Sequence, residues 1–123
     1  MADEITLNAS LAISTTNFVE SFVPGRIQID LASTAGAGGA QTIGHSAHEQ
    51  VAKGDTTNGG VFFFRNLDAT NFVEVGIQHS GSTFVAFLKL LPGEYAVGRL
   101  SSADVFAKAD TASVNLQYRM LSP

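Results

Sequence analysis

The sequence predicts an all-β protein, a single antiparallel β-sandwich of about eight or nine strands, with a jelly roll among the arrangements that fit. Three observations predict it. Apolar and polar residues alternate with a period of two in several runs along the 123 residues. Gly, Pro, Asn and Asp cluster between those runs at the spacing of sandwich turns. No stretch carries a convincing apolar stripe over three helical turns.

Ile5, Leu7, Ala9, Leu11 and Ile13 alternate with Thr6, Asn8, Ser10, Ala12 and Ser14, which predicts one long half-buried strand over residues 5–14. Phe18 to Val23 is a weaker apolar patch, closed by Pro24-Gly25. Ile27, Ile29 and Leu31 then alternate with Arg26, Gln28 and Asp30 in a second strand. Residues 32–40, rich in Ala and Gly, are expected to form a flexible loop, because glycine carries a large backbone entropy cost and small side chains pack little. From 41 to 51, Ile43, Ala47 and Val51 stand at helical spacing, but Gly44 and the thin apolar face favour an extended path.

Gly54-Asp55 and Asn58-Gly59-Gly60 punctuate the approach to a strand over 61–65. Asn66, Asp68 and Asn71 can bond their own backbone in a turn, so the chain is expected to return over 72–78 as a hairpin. Ser80-Gly81-Ser82 turns it into a strand over 84–91. Leu91-Pro92-Gly93-Glu94 fits a type II turn, since proline presets the first central φ and glycine accepts the positive φ of the second. Strands follow over 95–100 and 105–109. In the last strand Val114, Leu116, Tyr118 and Met120 alternate with polar residues.

The length fits one domain over 1–123, able to bury roughly two thirds of its unfolded surface. Charged residues make up 15% of the chain, against an average of about 25%. The net charge is -4, and Arg26, Lys53, Arg65, Lys89, Arg99, Lys108 and Arg119 are scattered, so no basic stripe exists to release counterions and no nucleic-acid partner is expected. The absence of cysteine rules out disulfides and thiolate chemistry and suits a reducing cytoplasm. No apolar run is long enough to span a bilayer, so no membrane partner is expected. The acidic start Met1-Ala2-Asp3-Glu4 lacks the basic and apolar regions of a secretion signal, which predicts a protein not exported by that route.

No catalytic constellation stands out. The densest polar cluster is His45, His48 and Glu49, to which only His79 adds a further imidazole. On a strand His45 and Glu49 share a face that His48 does not, so a four-ligand zinc site is incomplete and a polar loop or interface cluster explains these residues better. His79-Ser80-Gly81-Ser82 lacks the glycines of a nucleophile elbow. Gly36-Ala37-Gly38-Gly39-Ala40-Gln41 starts like a dinucleotide loop but has Gln41 where the third glycine belongs. Glu74, Glu94 and Asp68 are available for glycoside hydrolysis, yet the chain has no Trp to form a sugar platform. No cofactor is expected.

Two stretches are apolar on both faces. Phe62 and Phe64 point one way and Phe63 the other, and 84–91 offers Phe84, Val85, Phe87, Leu88, Leu90 and Leu91 with a single charge at Lys89. A two-layer sandwich buries one face of each sheet. Either a crossing loop or a subunit interface must cover the other, and the low charge density favours the interface. Phe63, Phe84, Val85, Phe87 and Leu91 are therefore the candidate oligomer contacts.

Residues 61–77, VFFFRNLDATNFVEVGI, followed by LLPGEYAVGRL at 90–100 and VFAKADTASVNLQYRM at 105–120, resemble the small β-rich virion structural proteins of tailed bacteriophages. The resemblance covers the carboxy-terminal half, with a looser match before it, and its motifs are turns and strands without chemistry. It implies a non-enzymatic virion component, assembled in the host cytoplasm and present as a homo-oligomer. A trimeric capsid decoration or cement protein bound to the major capsid protein fits best, a tail or baseplate component next. A carbohydrate-binding module is the alternative of another class, with only Tyr95 and Tyr118 beside the phenylalanines to stack on sugars.

Overall fold

A computed structural model describes residues 4–31, 35–57 and 60–122. The alternation over 5–14 produces two strands rather than the one expected, β1 (Ile5–Asn8) and β2 (Leu11–Ser14). The cause lies in the partner. After β3 (Val19–Phe22), the three residues Val23, Pro24 and Gly25 face only Ala9 and Ser10 before β4 (Arg26–Ile29) resumes the ladder, with Leu11 opposite Phe22 and Asn8 opposite Arg26. Pro24 has no N–H to donate, and Gly25 takes a φ of +89° that a side chain would resist. The result is a hairpin ribbon with a bulge at its middle. At its tip the Thr15 backbone N–H and hydroxyl both donate to the Phe18 carbonyl, at 2.8 and 3.1 Å.

Eight more strands follow: β5 (Gly36–Ile43), β6 (Glu49–Gln50), β7 (Val61–Asn66), β8 (Val73–His79), β9 (Thr83–Leu90), β10 (Tyr95–Arg99), β11 (Phe106–Ala109) and β12 (Val114–Leu121). They form two four-stranded antiparallel sheets, β10-β7-β12-β5 and β6-β11-β8-β9. Numbered from β5, the orders are 6-3-8-1 and 2-7-4-5, the winding of a jelly roll. The all-β sandwich expected from the sequence is present, with twelve strands among the described residues in place of eight or nine. Phe64, Ile43, Leu116 and Met120 are the largest side chains fully enclosed between the sheets, and Val114 and Tyr118 complete the inward row of β12.

Two expectations are corrected. Residues 36–40 belong to β5 and not to a loop; positions 32–34 lie outside the described residues. The glycines serve the neighbouring strand: a Cβ on Gly38 would fall 2.6 Å from Arg119 Nε, and one on Gly36 3.0 Å from Leu121 Cδ2, so β12 lays its side chains across a strand that has none there. Secondly, β7 and β8 do not form a hairpin, because they lie in different sheets. The connection between them is a corner built on Asn66, whose buried amide donates to the carbonyls of Asn71 (2.8 Å) and Leu90 (3.0 Å) and accepts from the Asp68 N–H (2.8 Å). The Leu91–Glu94 turn docks on the same residue, since Gly93 N–H donates to the Asn66 carbonyl at 3.0 Å. That turn is type II as expected: Glu94 N–H donates to Leu91 O at 2.9 Å and Gly93 has a φ of +82°.

Candidate interaction surface

The ribbon begins as a cover for the body. Ile5 pairs with Ile29 and Leu7 with Ile27, which places these four side chains on one face. Ile5 and Leu7 share a cleft of about 270 Å³ with Val61, Phe63, Val97, Arg119 and Leu121, on the outer face of the β10-β7-β12-β5 sheet. The backbone N–H of Leu31 donates to the Glu4 carboxylate at 2.9 Å and ties the base together. Thus part of the cover that Phe63 needs comes from the chain itself, and Phe63 is half-buried, its ring 6.2 Å from that of Tyr95.

Past the bulge the ribbon changes character. β2 and β3 pair with each other and belong to neither large sheet. Leu11 and Phe22 are opposite one another and about half exposed, while Val19 is 78% and Val23 71% exposed. Sequence reasoning did not assign these residues to a surface, although the apolar patch at 18–23 beside Pro24-Gly25 was the signal that marked them.

The second apolar surface follows β8 and β9, joined by a true hairpin at Ser80 and Gly81, both with positive φ. β9 is an edge strand. The register steps from Val75 opposite Leu88 to Gly76 opposite Ala86, which leaves Phe87 as the extra residue of a β-bulge. Only glycine fits opposite it, since a Cβ on Gly76 would lie 2.1 Å from the Val85 carbonyl oxygen. Ile77 and Val85 face each other two pairs before the turn of the hairpin and are nearly half exposed, and Phe87 is 53% exposed.

Of the five candidate contacts, Phe84, Val85 and Phe87 therefore lie on β9 and Leu91 just beyond it, while Phe63 lies on the other sheet. Val85, Phe87 and Leu91 are exposed. Phe84 is half-buried, stacked on His48 at 5.3 Å, and His48 also meets the ring of Phe106 edge-on at 5.7 Å. His48 is thus part of an aromatic cluster. His45 is exposed, and Glu49 clasps its own loop by accepting from Gly44 N–H (3.1 Å) and Gln41 Nε2 (3.3 Å). Among the described residues no three His, Asp or Glu side chains group to hold a metal ion.

Of the remaining carboxylate candidates, Glu74 lies within β8 opposite Lys89, while Asp68 and Glu94 are occupied by turn backbone. Asp68 accepts from Asn71 N–H (2.6 Å) and Thr70 N–H (3.0 Å), and these bonds hold its carboxyl below the usual carboxylate range. Glu94 accepts from Leu91 N–H at 2.8 Å. The buried Tyr118 donates its hydroxyl to Ala52 O at 2.8 Å, which leaves Tyr95, 61% exposed, as the open tyrosine. No helix among the described residues is long and apolar enough to cross a membrane. No protein-family model, curated protein or solved structure matches the chain.

Proposed function

We propose that the protein is a non-enzymatic structural component of a tailed-bacteriophage virion, a homo-oligomeric capsid decoration protein that stabilises the shell by protein–protein contact. The observation that supports this reading most is the coincidence of sparse charge with two exposed apolar surfaces, the distal ribbon and β9. Apolar surface in such patches on a small chain marks protein contact. The likeness of 61–77, 90–100 and 105–120 to phage virion proteins supplies the setting. The action is adhesive: apolar side chains of β9 and the ribbon close the oligomer, and turn backbone with scattered polar residues meets the major capsid protein.

Sedimentation of the full-length protein at micromolar concentration should give a multiple of the chain mass. The protein should also pellet with shells of the major capsid protein encoded alongside it. Binding to tail structures instead would transfer the same adhesive chemistry to a tail or baseplate role. A solitary chain that binds glycans at micromolar strength, with binding lost in Tyr95→Ala, would overturn the reading in favour of a carbohydrate-binding module.

A further inference from the structure

The ribbon's apolar face has two halves with different surroundings. Near the base, Ile5 and Leu7 lie over Val61, Val97 and Leu121 of their own chain. Beyond Pro24-Gly25 the alternation continues as Leu11 and Ile13 on one strand with Phe22 on the other, and among the described residues these two strands pair only with each other. A two-stranded hairpin is marginal in water unless an apolar face is covered. Of this half, Leu11, Phe18, Phe22 and Val23 are each 49% exposed or more, whereas Val19, opposite Ser14, lies on the other face of the ribbon. At roughly 150 to 250 Å² per aromatic residue and somewhat less per aliphatic one, these four leave on the order of 400 Å² in water, about half of the roughly 800 Å² that one partner gives to a standard interface.

The same chain carries an uncovered counterpart. Ile77, Val85 and Phe87 project from the β8–β9 hairpin, and residues 76–88 contain no Asp, Glu, Lys or Arg. Residues 9–25 contain only Glu20. Bringing these surfaces together desolvates almost no charge, so little opposes the apolar gain. We propose that the distal half of the ribbon docks on the β8–β9 hairpin of a second copy of this chain, a head-to-tail contact in which every molecule gives a ribbon and receives one. Ribbon stacked on ribbon would leave Ile77, Val85 and Phe87 in water. A head-to-tail contact covers both surfaces and closes into a ring where the rotation allows. The inference rests on the self-association in the proposed function, but not on a virion setting.

Phe22→Asp removes the donor surface and Val85→Asp the acceptor. Each variant alone should sediment as a folded monomer, with its β-sheet circular dichroism retained. An equimolar mixture should form heterodimers, because the intact hairpin of one variant meets the intact ribbon of the other. The chain has no cysteine, so Phe22→Cys and Val85→Cys variants supply a second measurement that does not depend on charge insertion. When these are mixed and oxidised, 22-to-85 cross-links should predominate over 22-to-22 and 85-to-85. An oligomer that survives both Asp substitutions, or homotypic cross-links in the majority, overturns the head-to-tail contact while leaving self-association standing. A monomeric wild type overturns both.

Discussion

The jelly-roll body and the amino-terminal ribbon are written in the same alternating β pattern, yet they use it in opposite ways. In the body, β7 and β12 turn Phe62, Phe64, Leu116 and Met120 toward β8 and β11, and the two sheets cover each other. In the ribbon, Leu11 and Phe22 meet across a single pair of strands with no second layer over them. Alternation therefore says that one face is apolar and leaves open where its cover comes from. Within the body the cover is intramolecular. Over the distal ribbon the described residues of the chain supply no such cover, and Leu11 and Phe22 stay about half exposed.

The largest effect that tests this contrast comes from cutting the same side chain in both regions. Phe64→Ala should destabilise the fold by about 3 to 5 kcal/mol, the usual cost of emptying a closed aromatic site. Phe22→Ala should change the stability of the dissociated monomer by no more than about 0.5 kcal/mol, since half of the ring is already in water. Urea unfolding of both variants, at a concentration where the wild type is dissociated, measures the difference. Equal losses would mean that the ribbon folds as part of the body.

Asn66→Ala should follow, with a loss of about 2 to 3 kcal/mol. It removes the amide group that donates to both the Leu90 and Asn71 carbonyls and leaves the Asp68 N–H without its side-chain acceptor, at a site closed to solvent. Because Asn66 joins the two sheets, hydrogen exchange should quicken in β7 and β9 together while the ribbon amides keep their wild-type rates. Quickening confined to the 67–71 loop would remove Asn66 from its role as the junction.

These residues also show what was legible in the sequence. The inward row of β12 and the type II turn at Pro92-Gly93 were readable, because side-chain period and turn chemistry are local properties. The Asn66–Asn71 corner was readable as a turn but not as a crossing between sheets. Asn and Asp report that the backbone bends, whereas the partner of the next strand is a tertiary matter. β5 was missed for a related reason: Gly36 and Gly38 have no strand propensity of their own, and their place is set by Arg119 and Leu121, some eighty residues away in sequence. Of the surface, the run at 84–91 was visible as apolar on both faces. The ribbon was not, since its distal face stays apolar through Leu11 and Phe22 only by virtue of a pairing interrupted at Pro24.

Gly76→Ala gives a smaller effect within the body, about 1 to 3 kcal/mol. The added methyl must push the Val85 carbonyl aside, a strain comparable to overpacking a core. It sharpens the comparison because it perturbs the hairpin surface and not the ribbon. In the mixing experiment above, Gly76→Ala should behave as an acceptor defect, and Phe22→Asp should restore a heterodimer with it. Self-association at wild-type strength in Gly76→Ala would separate the bulge geometry from the contact.

The smallest expected effect is electrostatic and belongs to the corner loop. The Asn71 and Thr70 amides favour the charged carboxylate of Asp68 and lower its pKa in the folded state. A group whose folded pKa lies below its unfolded value, near 3.9, stabilises the fold fully above that value and loses the contribution as pH falls through the folded one. The stability difference between wild type and Asp68→Asn should therefore stay level from pH 7 to about 5 and shrink below about pH 4. Solvent screens the site, so the change should be the least of the four. A difference that persists undiminished to pH 2 would show that the loop is held by the asparagine amides rather than by the carboxylate. The corner between the sheets would then depend on Asn66 alone.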